Sequence, residues 1–215
     1  MAIPAIESYP MPTEDELPRN TATWTIDPER AVLLIHDLQN YFMRPFGSDE
    51  PPMADLMDNV AVLRARFAAL GAPVTYTAQP GGMTDEQRGL LKDFWGPGMS
   101  TEPEHRMILD RIAPNAGDTV LTKWRPSAFC RTDLLALLRA QGRDQLVICG
   151  VYAHVGILMT AHEGFSHDIE TFVVADAVAD FSSRYHRLAL DYVASRCSVT
   201  VSTRSALAML DGARR

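Results

Sequence analysis

The chain has 215 residues, 47% hydrophobic and 22% charged, with a formal net charge of −7. That length suits one domain with a sizeable core, and that charge leaves no basic footprint for nucleic acid or an anionic membrane surface. The longest apolar runs, such as Ala31–Ile35 and Leu146–Cys149, are too short to span a bilayer. The acidic, Pro-rich N-terminus MAIPAIESYPMPTEDELP lacks the basic-then-apolar order of a secretory signal. Cys130, Cys149 and Cys197 show no CxxC or CxxH spacing, which fits a reducing compartment better than a disulfide framework. A cytoplasmic protein is the expectation.

In chain order, the first predicted element is the strand Arg30–His36 (RAVLLIH), followed by a helix over Ala54–Leu70 that stops at Gly71. The strand Pro73–Ala78 (PVTYTA) comes next, then the Gly/Pro-rich segment Gln79–Met99, which mixes aromatic and charged residues. A loop of that composition directly after a strand is more often functional than connecting; a surface excursion packed by Trp95 is the alternative. The strand Thr119–Thr122 follows, then a helix over Asp133–Ala140 and the strand Gln145–Cys149. The strand Thr171–Val174, a helix over Tyr185–Ser195 and the strand Ser198–Val201 complete the pattern. Most of the strands are continuously apolar, the mark of burial on both faces of a parallel sheet. Strands alternating with helices predict βαβ units and a three-layer α/β/α domain over 1–215, with a six-stranded, mostly parallel sheet.

Ligands of open parallel sheets bind outside the carboxyl ends of the strands. Those positions hold His36-Asp37, Gln79, Lys123 and Tyr152-Ala153-His154, so an acid, an amide, an ammonium and a phenol share one rim. Singly, each has an ordinary explanation, with Asp37 as a helix cap, Lys123 as a solvated strand end and Tyr152 as core. Other chemistries lack their motifs. HDLQNYF replaces the glycine-rich turn of a dinucleotide fold, and neither a phosphate loop nor a GxSxG elbow occurs. The six histidines have neither HExxH nor DxH spacing, so they read as structural or solvent-facing and no metal is expected.

Three segments, AVLLIHDLQNYF (Ala31–Phe42), YTAQPGGMTDEQRGLLKDFWGPGM (Tyr76–Met99) and LVICGVYAHVG (Leu146–Gly156), together with Lys123-Trp124-Arg125, resemble the isochorismatases of siderophore and phenazine pathways. The likeness spans essentially the whole chain, and Gly81–Met99 is most similar to the phenazine branch, which acts on 2-amino-2-deoxyisochorismate and commonly on isochorismate. No room remains for the C-terminal acyl-carrier domain of many siderophore versions. One departure is Pro126, where the family usually has tyrosine. The wider superfamily pairs an Asp and a Lys with a cysteine nucleophile at the helix after strand four; Gly156 stands at that position here. Without a thiolate there, acyl-enzyme chemistry has no attacking atom. A nicotinamidase-like amidohydrolase using Cys130 or Cys149, and an inactive binding protein, are the rival readings. The resemblance also implies a cis peptide between Val151 and Tyr152.

The implied reaction hydrolyses an enolpyruvyl ether, whose hard step is protonation of a methylene carbon. Asp37 is the expected general acid, its pKa lifted by burial beneath Phe42, Trp95 and Tyr152. Lys123 opposes that lift until a substrate carboxylate neutralises it. Arg88 is the expected carboxylate clamp, Gln79 a hydrogen-bond partner of the carboxylate or ether, and Gly156 part of the substrate surface. Neither metal nor organic cofactor is required. The expected partners are a small dicarboxylate, isochorismate or its 2-amino analogue, and a second copy of the chain.

Overall fold

The six apolar runs form one parallel sheet in the order β3-β2-β1-β4-β5-β6. The structure, a computed structural model, describes residues 3–47 and 50–212. In chain order the elements are β1 (Ala31–His36), α1 (Asn40–Met43), α2 (Met53–Leu70), β2 (Val74–Ala78), α3 (Asp85–Arg88), α4 (Leu91–Trp95) and α5 (Pro103–Arg106). They continue with β3 (Thr119–Thr122), α6 (Leu134–Ala140), β4 (Gln145–Val151), α7 (Leu158–Ser166), β5 (Glu170–Ala179), α8 (Ser183–Arg196), β6 (Ser198–Val201) and α9 (Thr203–Gly212). A π-helical turn, Ala153–Ile157, joins β4 to α7.

Alternate residues of the central strands serve opposite cores. Leu33 and Ile35 of β1 pack with Leu56, Val60, Leu63 and Phe67 of α2 and with Ala206 and Leu210 of α9. Val32 and Leu34 join Leu134 and Leu138 of α6, Leu158 and Ala161 of α7, and Ala189, Leu190 and Val193 of α8 on the other face. Every residue of β1, β4 and β6 is buried, and β1 and β4 accordingly carry the continuous apolar runs Ala31–Ile35 and Leu146–Cys149. The three-layer α/β/α architecture follows, as expected from the sequence.

Two strands run further than their sequence suggests. β4 continues through Gly150 and Val151, and β5 extends from Thr171–Val174 to Ala179. The extension of β5, Ala175–Ala179, is alanine-rich and includes Asp176, residues of low strand propensity. A tertiary contact accounts for Asp176 in this strand. Its Oδ1 accepts from the Thr203 backbone N–H and hydroxyl, both at 2.7 Å, and so holds the start of α9. The segment Gln79–Met99 is not a bare loop but carries α3 and α4. Thr84 caps α3 by accepting from the Gln87 N–H at 3.2 Å, and Gln87 reaches back to the Thr84 N–H at 2.9 Å. No helix among the described residues is long and apolar enough to cross a membrane.

The strand order reverses between β1 and its neighbours β2 and β4, and the crevice at that switch point lies at the strands' carboxyl ends. It is there that the chemistry gathers.

Candidate active site

Asp37 follows β1 directly and adopts a left-handed conformation (φ 54°), one that aspartate tolerates better than most residues. Its carboxylate is buried and held on both oxygens: Lys123 Nζ donates to Oδ2 at 2.7 Å, and the Thr77 hydroxyl donates to Oδ1 at 2.6 Å. The Asp37 N–H in turn donates to Thr77 Oγ1 at 3.2 Å. Lys123 is only 2% exposed, anchored at the end of β3 by its N–H to the Ala78 carbonyl at 2.9 Å. Burial pushes the Asp37 carboxyl pKa up, but Lys123, His36 and the Lys123 and Thr77 hydrogen bonds together outweigh it and hold the group below its ordinary value. In the free protein the opposition led by Lys123 therefore outweighs the lift from burial. There Asp37 is a carboxylate, because Lys123 and Thr77 hold both of its oxygens at hydrogen-bonding distance.

A recess opens above this pair. Asp37, Lys123, Gln79, Arg88, Trp95, Phe42, Tyr152 and Gly156, the residues singled out from sequence, all line it. The Arg88 guanidinium is buried, with Nε donating to the Gly96 carbonyl at 2.9 Å. A Cβ at position 98 would lie 2.8 Å from Arg88 Cζ, so glycine there lets the guanidinium rest against the chain. No carboxylate pairs with Arg88 among the described residues; Asp85, the neighbour that could have, takes Lys92 at 2.5 Å. Burial, and the nearby Arg125, lower the Arg88 pKa while Tyr41 opposes them, the profile of a cation suited to an incoming anion. Tyr152 lines the recess. Its hydroxyl donates to the Phe42 carbonyl at 2.6 Å, so the ring rather than the phenol faces the recess, stacked with Phe46 and close to Phe181. The Val151–Tyr152 peptide is cis, as the resemblance implies.

Several participants escaped the sequence reading. Thr77 lies inside β2, where its alternation with apolar neighbours reads only as strand. Arg125 also lines the recess, with Nη1 donating to the Gln87 and Trp124 carbonyls at 2.7 Å each; its adjacency to Lys123 was the available signal. Gln39, fully buried, donates to the Gln79 carbonyl at 3.0 Å and the Arg106 carbonyl at 2.8 Å while accepting from the Gln79 N–H at 2.8 Å. It thereby ties the end of β2 to the segment beyond α5. His36 lies under the recess, its pKa lowered to about 4 by burial and Lys123 against the pull of Asp37 and of the Val151 and Pro126 carbonyls.

The family model "Isochorismatase domain" matches residues 31–205. The chain belongs to the isochorismatase family. It is 55% identical over 201 residues to a phenazine biosynthesis protein of Pseudomonas aeruginosa, covering 94% of this chain and 96% of that one. It is 52% identical to the isochorismatase of Bacillus subtilis over 99% of this chain and 68% of that one. Among solved structures, a cysteine hydrolase from Pseudomonas syringae superposes with a TM-score of 0.82 at 21% identity, covering 91% of this chain and 98% of that one. That likeness shows a shared fold.

Within this isochorismatase domain the three cysteines stand away from the recess: none lines it, all are free thiols, and Cys149 and Cys197 are buried. Cys149 sits inside β4 with its Sγ donating to the Leu34 carbonyl at 3.5 Å, and burial pushes its thiol far up. No cluster of histidine, cysteine and carboxylate side chains suited to a metal occurs among the described residues.

Proposed function

We propose that this enzyme hydrolyses the enolpyruvyl ether of isochorismate or 2-amino-2-deoxyisochorismate, releasing pyruvate and a dihydro-hydroxy aromatic acid precursor. The observation that carries the reading is the charge balance of the recess. Three cations, Lys123, Arg88 and Arg125, face a single carboxylate, Asp37, among its lining residues. Two positive charges are left over, which matches a dicarboxylate substrate even though the whole chain is acidic. The names of the Pseudomonas and Bacillus relatives, one from phenazine biosynthesis and one an isochorismatase, support the same substrate class.

The chemistry follows from the contacts. Arg88 offers a guanidinium fork to one substrate carboxylate, and the rings of Phe42, Trp95 and Tyr152 enclose the cyclohexadiene. Gln79 supplies amide hydrogen bonds beside them. The second carboxylate, arriving near Lys123, competes with Asp37 for the ammonium and adds negative charge next to it. Both effects raise the Asp37 pKa, so the group takes up a proton in the complex. Asp37 then delivers that proton to the terminal methylene carbon. The resulting oxocarbenium ion lies beside the reformed carboxylate, which stabilises it electrostatically. Water adds, and the hemiketal collapses to pyruvate and the ring alcohol. No step needs a thiol, in agreement with the placement of the cysteines.

The test is release of pyruvate, followed by coupled reduction to lactate, from each of the two substrates in parallel. Release from either supports the proposal and the ratio of kcat/KM values names the preferred one. Tight binding of both without pyruvate would reduce the protein to a binding function.

A further inference from the structure

Gly156 lies in the segment that leads into α7, and the space its missing side chain leaves has a specific occupant. A Cβ built there would lie 2.2 Å from His36 Cε1, 2.9 Å from Nε2 and 3.1 Å from Nδ1. The imidazole thus fills the space that any side chain at position 156 would enter. The ring cannot simply swing away. It is fully buried at the end of β1, and because a carbonyl only accepts, its Nδ1–H donates to the Val151 carbonyl at 2.8 Å. Close-packed interiors do not absorb an overlap of this size without breaking contacts.

We propose that His36 is the positioning residue that closes this pocket to covalent catalysis. Its imidazole and the glycine at 156 form one paired unit, so that a thiol can be seated in the recess only if both positions change together. This rests on the reading of Asp37 as an acid acting without a nucleophile, and it adds what enforces that chemistry in this chain: a filled slot as well as a missing sulfur. The same ring, bonded to Val151 and one residue before Asp37, links the ends of β1 and β4, so the slot is filled by a group that the fold also uses.

Four proteins test the pairing: Gly156→Cys, His36→Val, the double variant and the wild type. Gly156→Cys alone is overpacked, and its Tm falls by about 5 °C or more. His36→Val alone leaves a void and also lowers Tm. Combined, the valine makes room for the cysteine, and the double variant melts above Gly156→Cys, a reversal of sign that a histidine not packed against position 156 would not produce. The new thiol then lines the cavity that holds Lys123, at the start of a helical segment, an environment that favours thiolate. Its sulfur displaces iodide from iodoacetamide, forming a C–S bond and losing its proton to solvent. In the double variant, peptide mapping finds the introduced thiol labelled at least about tenfold faster than the buried Cys149 of the same molecule, as accessible low-pKa thiols are. A Gly156→Cys protein with wild-type Tm and full labelling overturns the proposal, as does a double variant whose losses simply add. If the cysteine variants fail to fold, Gly156→Ala in the wild-type and His36→Val backgrounds gives the same comparison by Tm. Neither readout uses vinyl ether turnover, so a failure to release pyruvate leaves this pairing intact, and additive stabilities leave the hydrolase reading intact.

Discussion

The floor and the lid of the recess are built on different principles. At the floor, formed by the ends of β1, β2 and β3, the charged pair is buried and both Asp37 oxygens are engaged, by Lys123 and Thr77, three residues from adjacent strands. The lid, Gln79–Met99, keeps Arg88 buried and without a carboxylate partner among the described residues, yet exposes Leu90 and Phe94 to 79% and 76%. A site that positions a proton needs atoms fixed to a fraction of an ångström, and a strand end supplies that. A site that admits and releases a ring acid needs a segment resting on few buried contacts, and two short helices with Gly89 between them supply that. On the proposed mechanism, loss of floor groups removes chemistry, whereas loss of lid groups removes binding.

The largest effect is expected at the floor. Asp37→Asn keeps the shape of the carboxyl but cannot deliver the proton, so kcat falls by about 10²–10⁴ while substrate still binds. Stopped or steady-state pyruvate release checks it, with mass spectrometry to exclude deamidation. Near-normal turnover would move the acid elsewhere.

Next, Lys123→Ala and Arg88→Ala set floor against lid directly. Removing Lys123 strands a buried carboxylate, which costs about 3–5 kcal/mol where a buried pair is broken; both kcat and KM suffer, and Tm drops. Removing Arg88 releases a group that grips ground and transition states about equally, so KM rises with little change in kcat. Arg88→Lys is a poor substitute because an ammonium lacks the fork. If both alanine variants change the same parameter, the division between floor and lid is wrong.

How much of this could be read in the chain differs between the same two regions. The floor's charged groups were legible because parallel-sheet strands announce their ends, and Asp37 and Lys123 are charges set directly after apolar runs. Thr77 and His36 were not, since a threonine in a strand and a histidine at its end look like ordinary pattern until the register brings His36 opposite Gly150 and Thr77. The lid's aromatic and cationic residues were visible as composition, but its helices α3 and α4 were not, being too short for periodicity to speak. The partner of the Tyr152 hydroxyl was hidden for a related reason: it is a backbone carbonyl 110 residues earlier, and no side-chain pattern encodes that.

A smaller effect sharpens the account of the floor's electrostatics. The Thr77 hydroxyl donates to the Asp37 carboxylate and favours its charged form. Thr77→Val removes that bond at nearly constant volume, so the Asp37 pKa rises. On the proposed mechanism turnover requires the protonated acid, so the descending alkaline limb of the kcat profile is expected to move to higher pH. Stability responds with a fixed sign. A carboxyl whose folded pKa lies below its unfolded value of about 3.9 contributes stability above that pH and loses it as pH falls through the folded pKa. The valine variant should accordingly lose stability relative to wild type at neutral pH and converge with it in acid. An alkaline limb that stays in place would show that Thr77 supports only the strand.

The smallest effect belongs to the residues that a thiol mechanism would have made the largest. Cys130, Cys149 and Cys197 all lie outside the recess, and the two buried ones behave as small apolar groups within the sheet and beneath α8. Replacing all three by alanine removes sulfur contacts at two buried sites, a loss of about 1–2 kcal/mol each that a thermal melt will register. The chemical step should be unchanged within about twofold, because no sulfur touches the space in which Asp37, Lys123 and the substrate meet. Alkylation of the wild type with iodoacetamide provides the matching control, leaving pyruvate release intact while Cys130 is modified. A folded triple variant without turnover would mean that one of these thiols is the nucleophile after all, and the recess would then have to rearrange during catalysis to reach it.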